Sequence, residues 1–325
     1  MDFERSEDQV ALAEGVARLC AGRFPLESVR VAEGRPTVAD GKGWAELGEA
    51  GVFALRVSDA DGGLGLGLAE AAVVFEELGR ALVPGPLVAS SLAAGLVPGA
   101  ADGSVMVGAV RRPAGPGPIL IEDLGAVDVL IVVDDGAGEL RLVERGAVTG
   151  APLQRSLDPL TPMWRVEALP EGDLVGGEED QTRWGRDGNV LTGALGVGLA
   201  LATMEMTVAY ARTREQFGRA IGSFQAVKHL CADMLVRAES ARAAVEAAAV
   251  TVDQPGVGDP VRAAAGAALL GCEAAQANAR SCIQVHGGMG FTWEVPAHLY
   301  LMRAQVLAGS LPSPADLAAV VADRY

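Results

Sequence analysis

Cysteine is scarce in this chain. The four that occur in 325 residues, Cys20, Cys231, Cys272 and Cys282, have no paired spacing. That argues against a disulfide framework and predicts free thiols, buried as small hydrophobes, in a reducing, cytoplasmic compartment. Positive charge is also short. Lys and Arg number 26 against 42 Asp and Glu, a formal charge of −16. Nucleic acid and anionic membrane surfaces need a basic face, so neither is expected as a partner. A local basic pocket for a phosphorylated ligand is compatible with the balance. No run of 18 apolar residues is free of charge or glycine breaks, which predicts no membrane span. The opening "MDFERSEDQV" carries no apolar signal run. Histidine occurs only as His229, His286 and His298, at a spacing that fits no metal-ligand pattern, so no metal site is expected. No nucleophile elbow or serine triad stands out.

What is present is core-forming material. Half of the residues are hydrophobic, enough for a sizeable interior. Residues 1–103 read as helical. Ser6 before Gln9 is a capping signature at the head of "SEDQVALAEGVARLCAGRF". "GWAELGEAGVFAL", "AEAAVVFEELGRAL" and "VPGPLVASSLAAGLV" follow at helical spacing. From 104 to 178 the period changes. "SVMVGAV", "DVLIVVDD", "LRLVER" and "MWRVEAL" are short, β-branched and punctuated by Gly, Pro or Asp, and predict a small all-β domain. "GEEDQTRW" reads as a polar linker, and Asp187 as the cap of a helix running to about Thr213. From 179 to 325 the chain is helical again, with a three-and-four seam from Phe224 to Ala248. Pro260 sits where a first-turn proline belongs, opening a helix to about His286. "VPAHLYLMRAQVL" reads as a last helix. The expectation is an α+β protein: an N-terminal helical domain, a small central β domain and a C-terminal four-helix bundle.

The loop "GGLGLGL" (62–68) lacks the glycine spacing of a phosphate cradle and reads as a connection. The glycines of "GALGVGLA" lie in a helical pattern and predict close helix packing. Two stretches are sharper. "TREQFGRAIGSFQAVKHLCADM", from Thr213, and "QVHGGMGFTWE", from Gln284, each put a helix end beside a glycine-permitted turn. Arg214 offers a forked cation suited to a diphosphate. Phe217 offers a face for an aromatic ring. Gly287 and Gly288 let a ligand approach the backbone.

Quoted as they stand, "YARTREQFGRAIGSFQAVKHLCADM" and "QVHGGMGFTWEVPAHLYLMRA" resemble the two C-terminal motifs of the acyl-CoA dehydrogenase flavoproteins. The N-terminal "GGLGLG" and "FEELGRAL" resemble that family's helical domain. The resemblance implies FAD as cofactor and an acyl-CoA thioester as substrate. In that family the C-terminal motifs hold the ADP half of a neighbouring subunit's FAD. Carried over, Arg214 would meet the pyrophosphate, Gln216 and Phe217 would flank the adenosine, and Gln284, Gly287 and Gly288 would form a backbone platform.

The resemblance fails where the chemistry should be. The family's base is a glutamate in a Y-E-G-T-like segment. Here that segment is "QVLAGSLPSP", which puts Ala308 or Leu311 at the base. Some relatives carry the base at the start of the first bundle helix, where the count falls on Gly188. Asp187 is one residue off, a turn of about 100° on a helix. The T-E-P-x-x-G-S-D segment that lines the flavin has no counterpart between Ser104 and Gly177. This lopsided pattern resembles the short subunits of heterotetrameric actinobacterial acyl-CoA dehydrogenases of sterol side-chain catabolism. It implies a longer homologue that supplies base, ring pocket and thioester site. The alternatives are a self-sufficient homo-oligomer using Asp187 or Glu294, and a non-catalytic binding or assembly protein.

Overall fold

The structure is a computed structural model that describes residues 5–26, 41–115, 117–254, 256–310 and 312–324. The chain forms two compact units. One takes residues 1–31, 72–83 and 189–325; the other takes 32–71 and 84–188.

The first unit is helical. Helix α1 (Glu7–Arg23) opens with the expected capping box, in which Ser6 and Gln9 bond each other's backbone. Further along come the C-terminal part of α3 (Leu68–Arg80), the C-terminal part of α5 (Glu178–Thr213), α6 (Gln225–Asp253), α7 (Pro260–His286), α8 (Ala297–Gly309) and α9 (Pro314–Asp323). Helix α7 has the bounds that its caps predict: Asp259 accepts hydrogen bonds from the Val261 and Arg262 amides, with Pro260 in the first turn. The seam of α6 is buried at Met234, Ala238, Ala241, Val245 and Ala248, whereas Phe224, Val227 and Cys231 are half-buried. The glycines of "GALGVGLA" do what their spacing predicts. A Cβ at Gly196 would lie 2.5 Å from the Gly271 carbonyl oxygen, and one at Gly193 2.7 Å from that of Ala267. Helices α5 and α7 therefore meet backbone to backbone. Asn278 of α7 donates to the carbonyls of Ala200 and Met234 at 3.1 and 2.9 Å, joining three helices through one side chain. A buried Glu76 accepts from Arg5 at 2.6 Å and from Arg242 at 2.9 Å, tying α3 to α6 and to the segment leading into α1.

The second unit holds α2 (Gly41–Glu49), α4 (Leu87–Ala93) and the strands β1 (Val107–Arg111), β2 (Ile119–Glu122), β3 (Val129–Asp134), β4 (Glu139–Glu144), β5 (Gly150–Pro152), β6 (Met163–Val166) and β7 (Asp173–Gly176). They form a four-stranded sheet in the order β1-β3-β4-β7 and a three-stranded sheet in the order β2-β6-β5. Strand β3 pairs parallel with β1 and antiparallel with β4. Its run "VLIVV" is wholly buried, as a central strand's continuous apolar run should be. Ala89 and Ala93 of α4 and Trp184 of α5 pack with Val107, Ile131 and Val133 of this sheet.

Two expectations fail here. "GEEDQTRW" is not a linker but the first turns of α5, which begins at Glu178, and Asp187 is therefore an interior residue rather than a cap. Glu178, Glu179 and Asp180 crowd the first turn, where acidic side chains favour a helix start, and the Asp180 carboxylate accepts from the Gly177 amide at 3.3 Å. By length and composition α5 could also cross a membrane, against the expectation from its charge and glycine breaks. Its most apolar stretch is, however, 78% buried within the fold.

Candidate functional site

Helix α5 ends at Thr213, and the chain then makes a two-strand hairpin, β8 (Glu215–Gln216) with β9 (Arg219–Ala220). The turn residues Phe217 and Gly218 both have positive φ, 54° and 75°. Positive φ at both central positions marks a type I′ turn, which matches strand twist but strains a side chain as large as Phe. Phe217 is 92% exposed there. The Arg214 amide donates to the Tyr210 carbonyl and the Ile221 amide to the Arg214 carbonyl, both at 2.8 Å, so the backbone at Arg214 is fixed from both sides. Its side chain is exposed, as is that of Gln216. Beneath the turn, Phe224 meets Phe217 edge-on, with ring centroids 6.1 Å apart, and the Arg219 guanidinium lies 4.1 Å over the Phe224 ring.

Helix α7 ends at His286. Gly287 has φ 60° and ψ −137°, a conformation open only to glycine, and a short 3₁₀ turn runs on to Phe291. A Cβ built at Gly287 or Gly288 would meet nothing within 4 Å, so both face open space. Gly290 points the other way, and a Cβ there would lie 2.6 Å from the Ile283 carbonyl. Gln284 is exposed one turn back.

The two turns belong to one place. The Tyr210 ring, one turn before Arg214, stacks on the His286 ring with centroids 4.2 Å apart and planes at 21°. The Tyr210 hydroxyl lies 3.9 Å from the Met289 sulfur. The result is an open shelf: a forked cation and an exposed aromatic on one turn, and backbone stripped of side chains on the other. Such a surface suits the diphosphate and flat base of a dinucleotide. Tyr210, His286 and Met289 were not singled out as site residues from the sequence. The available signal was Tyr210 standing four residues before Arg214 and His286 ending its helix directly before the glycine pair.

The candidate bases are elsewhere and unsuited. Asp187 has no exposed surface and is held by Arg56 at 2.6 Å and Arg186 at 2.7 Å. Gly188 packs toward Leu92, whose Cδ1 would lie 3.2 Å from an added Cβ. Ala308 is half-buried near the end of α8, and Glu294 is exposed after the 3₁₀ turn. Leu311 lies outside the described residues. All four cysteines are free thiols, with Cys231 only half-buried rather than buried as expected. Burial pushes Cys272 up to about 12 and Cys282 up to about 11, so both stay protonated and inert.

Residues 187–309 match the model of the acyl-CoA dehydrogenase C-terminal domain, and residues 6–102 that of the acyl-CoA dehydrogenase N-terminal domain. The acyl-CoA dehydrogenase IpdE2 of Mycobacterium tuberculosis is 34% identical over 325 residues, covering 96% of this chain and 95% of that protein. The acyl-CoA dehydrogenase FadE34 of the same organism is 37% identical over 295 residues. That match takes 82% of this chain and 40% of FadE34, so the chain spans less than half of that relative. Among solved structures, the ChsE4-ChsE5 complex from Mycobacterium tuberculosis superposes with a TM-score of 0.85 at 24% identity, covering 99% of this chain and 98% of that one. A variant of the Tcur3481-Tcur3483 steroid ACAD gives 0.83 at 22%, covering 98% and 97%. A glutaryl-coenzyme A dehydrogenase gives 0.86 at 20%, covering 99% and 96%. At these identities the structural likeness is one of fold.

Proposed function

Since the chain belongs to the acyl-CoA dehydrogenase family, we propose that it is the short subunit of an FAD-dependent acyl-CoA dehydrogenase whose base sits on a longer partner. In this reading the chain supplies the ADP side of the FAD site and the partner supplies the flavin ring pocket and the thioester site. One observation carries it. The shelf formed by Arg214 and the Gly287-Gly288 turn is intact and open, while no residue at the base positions can take a proton. A base must reach the α-proton, and Asp187 is already engaged by two arginines.

The residues fit the ADP half of FAD. Arg214 would pair with the pyrophosphate, Gln216 and Phe217 would flank the adenosine, and Gln284 with the bare backbone at Gly287 and Gly288 would close the other side. Bound FAD would supply the hydride acceptor for α,β-dehydrogenation. This chain's own part is to bind and orient: a charge-assisted fork fixes the diphosphate, and the glycine turn gives close approach without steric cost. The residues do not fit the flavin ring, because the family's T-E-P-x-x-G-S-D segment is absent from the strands between Ser104 and Gly177.

The relatives support a partner and a substrate class. One structural neighbour is the ChsE4-ChsE5 complex and another is a steroid ACAD. More than half of FadE34 lies outside its match to this chain, which is room for a second dehydrogenase-sized segment in one polypeptide. A steroid-derived acyl-CoA is the proposed substrate, and the cytoplasm the proposed compartment. The three-segment organisation 1–103, 104–178 and 179–325 belongs to the same proposal. Co-purification of the tagged chain with a longer dehydrogenase, followed by a flavin-to-chain ratio, tests the reading. A homo-oligomer with full turnover would overturn it.

A further inference from the structure

We infer that Tyr210 and His286 form a clasp that sets the spacing between the two turns of the dinucleotide shelf, and that both are positioning residues for FAD. The inference rests on the half-site reading above. Tyr210 sits at a junction. Its carbonyl accepts from the Arg214 amide at 2.8 Å, so its backbone anchors the hairpin that presents Arg214. Its ring lies 4.2 Å from that of His286, the last residue before the Gly287-Gly288 turn. Its hydroxyl reaches the Met289 sulfur beyond that turn. A single residue thus touches both sides of the shelf, the hairpin through its backbone and the glycine turn through its side chain.

The other half of the clasp is set from its own helix. His286 is 5% exposed, and its Nδ1 lies 2.8 Å from the Cys282 carbonyl oxygen. A carbonyl only accepts, so Nδ1 carries the proton and the ring plane is fixed before Tyr210 meets it. The two ring planes are only 21° from parallel, the arrangement of stacked rather than edge-on rings. Neither hairpin nor glycine turn has an apolar core of its own: Arg214, Gln216, Phe217, Gly287 and Gly288 are all exposed. Their separation is therefore set from below, where the clasp lies beside the cluster of Met234, Cys282 and Ile283 with Met204 and Met206.

The test uses the assembled enzyme, purified with its longer partner, in wild-type form and as Tyr210→Phe, Tyr210→Ala, Arg214→Ala and the Tyr210→Ala/Arg214→Ala double variant. Two quantities are read: the FAD dissociation constant from flavin fluorescence, and the melting temperature of the FAD-free assembly. Tyr210→Ala is expected to weaken FAD binding about tenfold. Tyr210→Phe keeps the stack and is expected to bind as wild type. If the clasp acts through the placement of Arg214, the loss from Tyr210→Ala shrinks once Arg214 is gone. Melting of the FAD-free assembly should hardly move. Full additivity, or a Tyr210→Phe enzyme as weak as Tyr210→Ala, would overturn the clasp while leaving the half-site reading intact. Unchanged FAD binding in Arg214→Ala would instead remove that reading and the clasp with it. Tyr210→Leu keeps the bulk without a ring and carries the same expectation if Tyr210→Ala does not assemble.

Discussion

Arg214 and Asp187 show how differently two charged residues can be placed in one chain. The Arg214 guanidinium has no hydrogen-bond or ion-pair partner among the described residues and stands exposed at a turn. Arg214→Ala should therefore leave folding unchanged. It should weaken FAD retention in the complex by about 1.5–3 kcal/mol, the worth of a hydrogen bond to a charged group. Loss of the fold with flavin occupancy intact would mark the arginine as structural. Asp187 is the reverse. It is buried between Arg56 and Arg186, and Asp187→Asn would leave two guanidiniums without their counter-charge. A fully buried pair broken this way costs about 3–5 kcal/mol. The two arginines are partly exposed, so water recovers some of it, and a loss of about 1–3 kcal/mol is expected by denaturant melt. Turnover of the folded complex should stay within a few-fold of wild type. A thousandfold drop with flavin still bound would place the base on this chain.

At the scale of elements, the glycine contact between α5 and α7 makes a sharp prediction. Gly196→Ala would drive a methyl to 2.5 Å from the Gly271 carbonyl, and overpacking of this kind costs about 1–3 kcal/mol. Gly15, with nothing within 4 Å of an added Cβ, is the control, where alanine should be neutral or stabilising. The head of α7 gives a pH-dependent case. Hydrogen bonds from the Arg262 amide, then from the Arg324 side chain, hold the Asp259 carboxyl below the usual range. A lowered native value means that the contribution is complete above the unfolded value, about 3.9, and is lost as pH falls through the native one. Asp259→Ala should cost about 0.5–2 kcal/mol at neutral pH, as a lost cap does. Its melting temperature should converge on wild type in acid, and a gap that persists there would mean the carboxylate is not the cap's working part. Helix α7 was legible because both its start signal and its glycine stop are written locally. Helix α5 was not. Its polar first turns look like a linker until Trp184 is seen packed on the sheet. Strands β2, β5 and β7 are three or four residues long, too short to show a period. Helix α9 follows the helix expected to be the last and carried no expectation of its own, although Leu317 packs on Ala265 and Ala268 of α7. The candidate residues on the two turns could be proposed from sequence because glycine and arginine carry their chemistry alone. The Tyr210–His286 stack could not, since it exists only once two helix ends meet.

For the whole molecule, the proposed division of labour fixes a ratio. The complex should carry one FAD per pair of unlike chains, read from flavin absorbance against quantified subunits, and one FAD per chain would end the division. Expressed alone, the chain should be colourless. It would also display side chains suited to being covered. Phe217, Phe291 and Trp293 stand exposed near the shelf, and Leu235 and Val236 on the outer side of α6. Apolar surface of this kind is what chaperones and proteases bind on immature proteins. An unaccompanied copy would be short-lived in the cell, and its abundance would follow that of the longer subunit whatever its own rate of synthesis.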